Sequence, residues 1–375
     1  MRIGLNNSSL KTFNKGFVLW LVLSGQATSR IDIAAKTGLT KMTSTNIVGE
    51  FIHDNYLVEV ADASENKRGR PIRKLALSPA APKIVGIYLG KKNARVSLFD
   101  LSGTPARSAR VSLTEEDDSV NVNKILEPID QIIRTSLNEK ILGFSIATVH
   151  EIGCSASSTS LNDRLENALN ERYGLPVKTG AAGDAAAFLE HLTGKAKNHD
   201  NFALLNISDD IDGSLYNGGA PIKDNKGNGV RIGHISIDYN GLSCSCGNRG
   251  CLQSYASASA MEKKLRDITK LKADFQGFCE MQSKKNDSRI DWALKDMMDK
   301  IGFALSTLQN ISRSDLIVIG GKGAYIPDRY LSKLEKALSA GNGKVKVEKS
   351  AFGEEMLERG APAPLLQELL SGNVF

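Results

Sequence analysis

Four residues in the second half of the sequence have the types and the spacing of a metal site. Nine residues separate His234 from Cys244-Ser245-Cys246, and four more separate Cys246 from Cys251. Three thiols and one imidazole form a complete tetrahedral set for zinc, and four protein ligands are typical of a structural ion. Gly247 and Gly250 suit the tight turn that would return Cys251 to the same ion. We therefore expect one structural Zn²⁺ per chain, held by His234, Cys244, Cys246 and Cys251; buried or free thiols are the weaker alternative, because thiols so close together would oxidise.

Composition and cysteine usage predict a cytoplasmic protein. With 41% hydrophobic and 24% charged residues, the chain is close to a soluble globular average, which excludes a disordered, collagen-like or disulfide-scaffold protein. Three of the five cysteines are crowded together, which favours metal binding over disulfides. The longest apolar run, residues 17–23, is far shorter than the ~20 residues that span a bilayer, and a poor cleavage site follows it.

The net charge of +6 is concentrated in one segment. Residues 1–80 contain eleven lysines and arginines against six acidic residues, which leaves +1 for the rest of the chain. A basic segment joined to a nearly neutral body indicates a small module that binds a polyanion beside a larger domain with another task. At the usual ~100–200 residues per domain, 375 residues make two or three domains.

The basic segment begins with the pattern of three helices. Residues 14–24 form an apolar helix; Ser29 can cap a second helix over 31–36, with Asp32 as the reciprocal partner of a capping box. Gly38 suits a tight turn, and Thr40 can cap a third helix that runs to about residue 53. In a helix-turn-helix, the N-terminal residues of the second helix of the pair meet base edges and phosphates in the major groove. We expect these contacts from short or hydrogen-bonding residues of the third helix and one apolar neighbour: Lys41, Met42, Thr43, Ser44 and Asn46.

Two strands follow, over residues 56–60 and 72–77, and the segment between them is basic. It contains Arg68-Gly69-Arg70-Pro71. A hairpin with two arginines at its tip, directly after a helix-turn-helix, is typical of the wing of a winged helix. Arg68 and Arg70 are expected at a narrow, electronegative minor groove. The alternative is a small helical domain with a solvated basic loop.

These motifs, with one more, carry a resemblance to a known family. They are Ser29-Arg30-Ile31-Asp32-Ile33-Ala34 with Thr37-Gly38-Leu39-Thr40, the wing Gly69-Arg70-Pro71, and Gly233-His234 with Cys244-Ser245-Cys246-Gly247-Asn248-Arg249-Gly250-Cys251-Leu252. The chain resembles the repressor branch of the ROK family (repressors, open reading frames and sugar kinases) over nearly its whole length. The last motif is highly specific for that family, whereas Gly320-Gly321-Lys322-Gly323 matches its late nucleotide-contacting loop only weakly.

The resemblance implies an α/β protein: an N-terminal winged helix-turn-helix followed by a two-lobed actin-like (ribonuclease-H-like) ATPase fold with a sugar cleft between the lobes. We expect a DNA-binding domain at 1–80, a first lobe at 81–192 completed by 353–375, and a second lobe at 193–352 with the zinc site and the oligomerisation surface. Strand-like and helical patterns alternate through these segments, as the fold requires.

The positions where the family binds ATP are altered in this chain. The first phosphate loop of the family opens with an acid and small residues, but here Tyr88 replaces the acid and Lys91-Lys92 stand among the small positions. The second is rich in glycine in the kinases, whereas this chain has no glycine between residues 201 and 213 and carries Asp209, Asp210 and Asp212.

The general base of the kinases is also missing. The resemblance puts it at Ala182; Asp184 lies two residues later and is interpreted as a helix cap. Loss of a positioned base costs ~10²–10⁴-fold in rate. We therefore expect no kinase activity and no catalytic residues.

The sugar-holding positions differ as well. Two glutamates of the family motif are replaced by Arg231 and Gln253. One interpretation is an altered effector, such as an acidic or phosphorylated sugar that Arg231 could pair with, held also by Gln253 and His234. The other is a body that has lost its ligand and serves dimerisation only.

The sequence thus predicts a ROK-type transcriptional repressor that binds an operator as a homodimer or a dimer of dimers, possesses no membrane segment and responds to a sugar-type effector. Two alternatives stay open. One is a sugar kinase with an added DNA-binding domain, and the other is an effector-independent DNA-binding protein.

Overall fold

The computed structural model describes residues 7–61, 73–114, 118–149, 160–225 and 227–372. Its internal contacts divide the chain into two units. The first comprises Met1–Thr148, Thr159–Gly180 and Ala361–Phe375, and the second comprises Val149–Ser158 and Ala181–Gly360. The chain therefore leaves the first unit twice, briefly after residue 148 and again after residue 180, and returns to it for its last residues.

The first unit begins with a head of three helices and a hairpin. These elements are α1 Asn7–Leu23, α2 Arg30–Thr37, α3 Lys41–His53, β1 Leu57–Ala61 and β2 Arg73–Leu77. Ser29 accepts a hydrogen bond from the backbone of Asp32, and Gly38 ends α2 with φ of 69°. The Asp32 carboxylate itself accepts from the backbone and hydroxyl of Thr28. Helix α1 starts seven residues earlier than predicted, because its first turns find a partner far along the chain, described below.

A five-stranded sheet forms the body of the first unit. Its strands are β3 Lys83–Leu89, β4 Asn93–Phe99, β5 Pro105–Ser112, β6 Ile141–Thr148 and β7 Val177–Ala181, in the order β5-β4-β3-β6-β7. The first three form an antiparallel meander, and β3 pairs with β6 in parallel. Helices α4 Asp118–Thr135 and α5 Leu161–Tyr173 cover it through a continuous apolar core.

The second unit contains a sheet of the same topology. Its strands are β8 Phe202–Ile207, β9 Ile211–Asn217, β10 Ala220–Pro221, β11 Leu316–Gly321 and β12 Lys346–Lys349, in the order β10-β9-β8-β11-β12. The helices are α6 Ala182–Leu192, α7 Gln253–Ala256, α8 Ala258–Thr269, α9 Phe275–Lys285, α10 Ser288–Ser312, α11 Asp328–Asn342 and α12 Met356–Arg359. Two sheets with one strand order, each a meander extended by parallel strands, confirm the predicted actin-like α/β fold.

The last helix, α13 Ala363–Leu370, joins the head to the sheet of the first unit. At one end, the backbone N–H of Leu365 donates to Ser145 Oγ of β6 at 3.2 Å. At the other end α13 lies against α1, where a Cβ added to Gly16 would be 2.0 Å from the carbonyl oxygen of Leu370. Only glycine permits this backbone approach, so position 16 sets the spacing of the two helices.

Candidate functional site

The four predicted metal ligands come together in the segment between β10 and α7. His234 ends a 3₁₀ turn, Ile232–His234, and its Nδ1 is 3.6 Å from Cys244 Sγ. The sulfurs of Cys246 and Cys251 are also 3.6 Å apart, and all four ligand atoms lie within 4.8 Å of one another. Around a tetrahedral zinc ion, two sulfurs are ~3.8 Å apart and a sulfur and a nitrogen ~3.6 Å apart. The donor set therefore fits one tetrahedral ion.

Two glycines give the cysteine loop its shape. Gly247 has φ of 89° and Gly250 has φ of 68°, in the left-handed region that other residues rarely adopt. A Cβ at Gly250 would lie 1.7 Å from the carbonyl oxygen of Asp238. The turn thus requires glycine for two separate reasons. Both positions have a positive φ, and at Gly250 the backbone of Asp238 also approaches too closely for a side chain.

Cys251 and Cys244 differ in how readily their thiols ionise. Burial and the neighbouring thiols of Cys246 and Cys244 raise the pKa of Cys251. Burial opposes ionisation of Cys244 as well, but hydrogen bonds from Cys246, Cys251 and Gln253 lower the pKa of Cys244 below its ordinary value. Three adjacent thiolates repel one another, so a divalent cation is what allows all three to coordinate.

The predicted effector residues are divided between two places. Gln253, the first residue of α7, donates from Nε2 to Cys244 Sγ at 3.4 Å and so contacts the metal cluster. Arg231 is exposed and its carbonyl accepts the N–H of His234 at 3.0 Å. Arg231 lines a cavity of about 550 Å³ built from residues of the 222–231 segment. Gln253 and His234 are therefore neighbours of one thiol, and Arg231 belongs to the adjoining cavity.

The same cavity contains a cation that the sequence analysis did not single out. Lys223 lines it, and Lys223 Nζ is 3.3 Å from Oδ2 of Asp184. Asp184 is only 4% exposed, and its Oδ1 accepts the hydroxyl of Ser214 at 2.6 Å. The interpretation of Asp184 as a helix cap is therefore wrong. Asp184 is the third residue of α6, and the N-cap residue Ala181 makes no side-chain cap bond. The Asp184 carboxylate is held instead by Ser214 and Lys223, 30 and 39 residues later in the chain. No local sequence pattern indicates contacts over such separations.

The positions matching the ATP-binding loops hold other interactions. Lys322 follows β11, and Lys322 Nζ is 2.8 Å from Asp209 Oδ1 and 3.5 Å from Glu262 Oε1. Ala182 is fully buried at the start of α6. The turn between β3 and β4 is closed by a hydrogen bond from the N–H of Gly90 to the carbonyl of Asn93, at 2.8 Å.

The predicted DNA-contacting residues of α3 lie at its exposed N-terminal part, with one exception. Lys41, Met42 and Asn46 are exposed, Met42 to 75%. Thr43 is half-buried, and its hydroxyl is 2.9 Å from that of Thr40, so it supports the start of the helix.

Ser44 is the exception. It is 1% exposed, and its hydroxyl donates to the carbonyl of Lys41 at 3.1 Å. The predicted surface role of Ser44 is wrong, because positions three and four residues later, Ile47 and Val48, are in the core and share its face of the helix.

The two strands of the head pair with each other, as predicted. β1 and β2 are antiparallel, from the pair Leu57 and Leu77 to the pair Ala61 and Arg73. Arg68 and Arg70 lie outside the described residues, so their role stays a prediction.

Comparison with known proteins identifies the family. A sequence model described as "ROK family" matches residues 84–363. The chain belongs to the ROK family. This ROK chain is 24% identical to the xylose repressor of Caldicellulosiruptor bescii, over 98% of each protein.

Solved structures support the fold of this ROK chain. It is similar to a ROK-family transcriptional regulator that is a homologue of the E. coli MLC protein, with a TM-score of 0.80, 21% identity and 98% of each chain covered. It is also similar to the ROK hexokinase of Thermus thermophilus, with a TM-score of 0.63 and 22% identity, over 75% of this chain and 97% of that one. Within the described residues, no helix has the length and apolar character needed to cross a membrane.

Proposed function

We propose that this chain is a DNA-binding transcriptional repressor of the ROK family without sugar-kinase activity. The observation that carries the proposal is the α2–α3 pair, which presents the exposed N-terminal part of α3 in a chain whose body belongs to the ROK family. The likeness to a xylose repressor over 98% of both chains supports the same interpretation.

The head would bind DNA through two parts. Lys41, Met42 and Asn46 would meet the major groove, while Arg68 and Arg70 of the segment between β1 and β2 would reach the minor groove. A homodimer, or a dimer of dimers, would place two heads on a pseudo-palindromic operator in the cytoplasm, with half-sites about one or two helical turns apart.

The cluster of His234 and three cysteines would hold one structural Zn²⁺. Its close donor distances support this role. Because Gln253 contacts Cys244, the ion would order both the loop and the start of α7.

The effector would bind at the cavity that Arg231 and Lys223 line. The lining also contains an acid, Asp224, which accepts hydrogen bonds from the backbone and side chain of Asn228. The two cations support a sugar carrying an acidic group, with Arg231 as the more available partner because Lys223 is paired with the buried Asp184. A thermal-shift screen should show stabilisation by acidic or phosphorylated sugars and a smaller shift in Arg231→Gln. The same shift in Arg231→Gln would contradict this assignment, and no shift with any sugar would favour the effector-independent protein.

Three features argue against the competing kinase function. The base position is a buried methyl group at Ala182, Lys322 is paired with Asp209 and Glu262, and the β3–β4 turn carries Lys91-Lys92. A coupled assay with several hexoses and ATP should stay at background, and hexose-dependent turnover would overturn this part of the proposal.

The DNA-binding function is tested by salt titration. The full-length chain should enrich specific duplexes from a random pool. Its affinity for them should fall steeply between ~50 and ~200 mM salt, because bound phosphates release counterions. Failure to enrich any duplex, or an affinity that does not change with salt, would contradict the proposal.

A further inference from the structure

The exposed side of α3 includes a stripe of four uncharged residues, with the exposed Lys41 and His53 at its ends. Met42, Thr45, Asn46 and Gly49 are spaced three, one and three residues apart, which places them on one face of the helix. Met42, Thr45 and Asn46 are exposed, and outside its own helix no described atom lies within 4 Å of a Cβ built at Gly49. No described part of the chain outside α3 therefore lies against Gly49. The lack of a side chain at this position would let the helix lie close to another surface.

The head holds α3 in place by contacts to Glu50 and to the backbone of Thr45. Glu50, the one acidic residue of α3, is paired with Lys11 and Lys15 of α1, at 2.9 and 2.6 Å. Arg30 of α2 donates to the carbonyl of Thr45 at 3.3 Å and pairs with Glu59 of β1 at 2.9 Å. Glu50 and Arg30 thus stabilise the head, and the four residues of the stripe are themselves uncharged.

The chemistry of the stripe matches one kind of base pair. An asparagine amide can donate to and accept from the N6 and N7 edge of adenine, and an apolar side chain can contact the thymine methyl group. Guanine is usually read by arginine or lysine and cytosine by an acid. The stripe contains no lysine, arginine or acid. Lys41, one turn before Thr45, and His53, one turn after Gly49, are exposed at its two ends.

We propose that α3 reads A·T base pairs, with Asn46 bound to the adenine edge and Met42 against a thymine methyl group. This inference rests on the proposed DNA-binding function. Asn46 and Met42 are one helical turn apart, ~5–6 Å between Cβ atoms, and stacked bases are ~3.4 Å apart. The two side chains can therefore contact the same or adjacent base pairs.

The experiment uses the duplex that the full-length chain enriches best from a random pool. Binding is then measured to versions in which single adenines are replaced by 7-deazaadenine, which lacks the N7 acceptor, or single thymines by uracil, which lacks the methyl group. At the contacted positions, 7-deazaadenine should weaken binding about 5- to 150-fold, and uracil about fourfold.

Two variants separate the two contacts. Asn46→Ala should lose the 7-deazaadenine effect and keep the uracil effect, whereas Met42→Ala should do the opposite. Both residues are exposed, so neither change removes a core contact. Lys36→Ala, on the exposed surface of α2, is the matched control and should keep both effects.

Each result decides the proposal. Enriched duplexes with G·C pairs at the contacted positions, or base effects that persist in the matching variant, would overturn the A·T assignment while the DNA-binding function stands. Failure to enrich any duplex would overturn both.

Discussion

Replacing Gly250 with alanine should remove the metal site while the rest of the second unit stays folded. The new Cβ would lie 1.7 Å from the carbonyl oxygen of Asp238, whereas carbon and oxygen atoms in contact are ~3.3 Å apart. The backbone must therefore move by ~1.6 Å next to Cys251. Ligand distances in a metal site tolerate only ~0.2 Å, so the shift is several times too large, and Cys251 should leave the ligand set.

Gly247→Ala provides the matched control in the same loop. Its φ is also positive, at 89°, but a Cβ there meets no described atom within 4 Å. Its cost should be only the ~1–2 kcal/mol of a left-handed residue, or ~2–8 °C in melting temperature, with metal binding kept.

The assay is the zinc-to-protein ratio after dialysis against a weak chelator, together with melting curves with and without zinc. Wild type and Gly247→Ala should retain the ion and be stabilised by it, whereas Gly250→Ala should do neither. If Gly250→Ala retained zinc at the wild-type ratio and melted at the same temperature as Gly247→Ala, the close backbone approach at position 250 would not be what the metal site depends on.

Three further predictions concern other parts of the chain. Gly16→Ala should destabilise the chain by ~1–3 kcal/mol relative to the control Gly49→Ala in denaturant titrations, because the methyl group at position 16 would overlap the backbone of Leu370. The gain in helix propensity is common to both variants, so it cancels in the comparison. Equal stabilities of the two variants would contradict this. Burial raises the pKa of Glu190 above its ordinary value of 4.5. The folded chain therefore binds this proton more tightly, and the free energy of unfolding should fall as the pH rises through the interval above 4.5; urea titrations should show this slope, and Glu190→Gln should reduce it. Ala182→Asp should not produce hexose-dependent consumption of ATP, because the lysine after β11 stays paired with two acids; turnover above background would show that one carboxylate is enough.

Local patterns were sufficient for the helix caps of the head and for the four residues of the metal cluster. The caps at Ser29 and Thr40 and the left-handed Gly38 depend on neighbours within a few residues, so they could be predicted from the sequence. The cluster of His234 and the cysteines is likewise contained in one short segment.

The predicted roles of Ser44 and Asp184 were wrong for two different reasons. A serine can occupy either an exposed or a buried position of a helix, and the partners of Asp184 are distant in the sequence. Ser44 is a short polar residue like its exposed neighbours, and only the phase of the helix puts it in the core. Asp184 stands where caps are common, but Ser214 and Lys223 reach it from the β9–β10 region. No periodicity in the sequence could indicate that pairing, or the cavity that Lys223 shares with Arg231.

The contact of α1 with α13 has a consequence for the DNA that the chain could accept. The two helices touch through backbone atoms at Gly16 and Leu370, so the head cannot change its distance from α13 without disturbing that helix and its bond to Ser145. In the proposed dimer, each head would then move together with the sheet of its own first unit and not independently of it. Inserting about half a helical turn, ~5 base pairs, between the half-sites would turn one of them away from its head. The operator would be selected by its helical phase as well as by its bases.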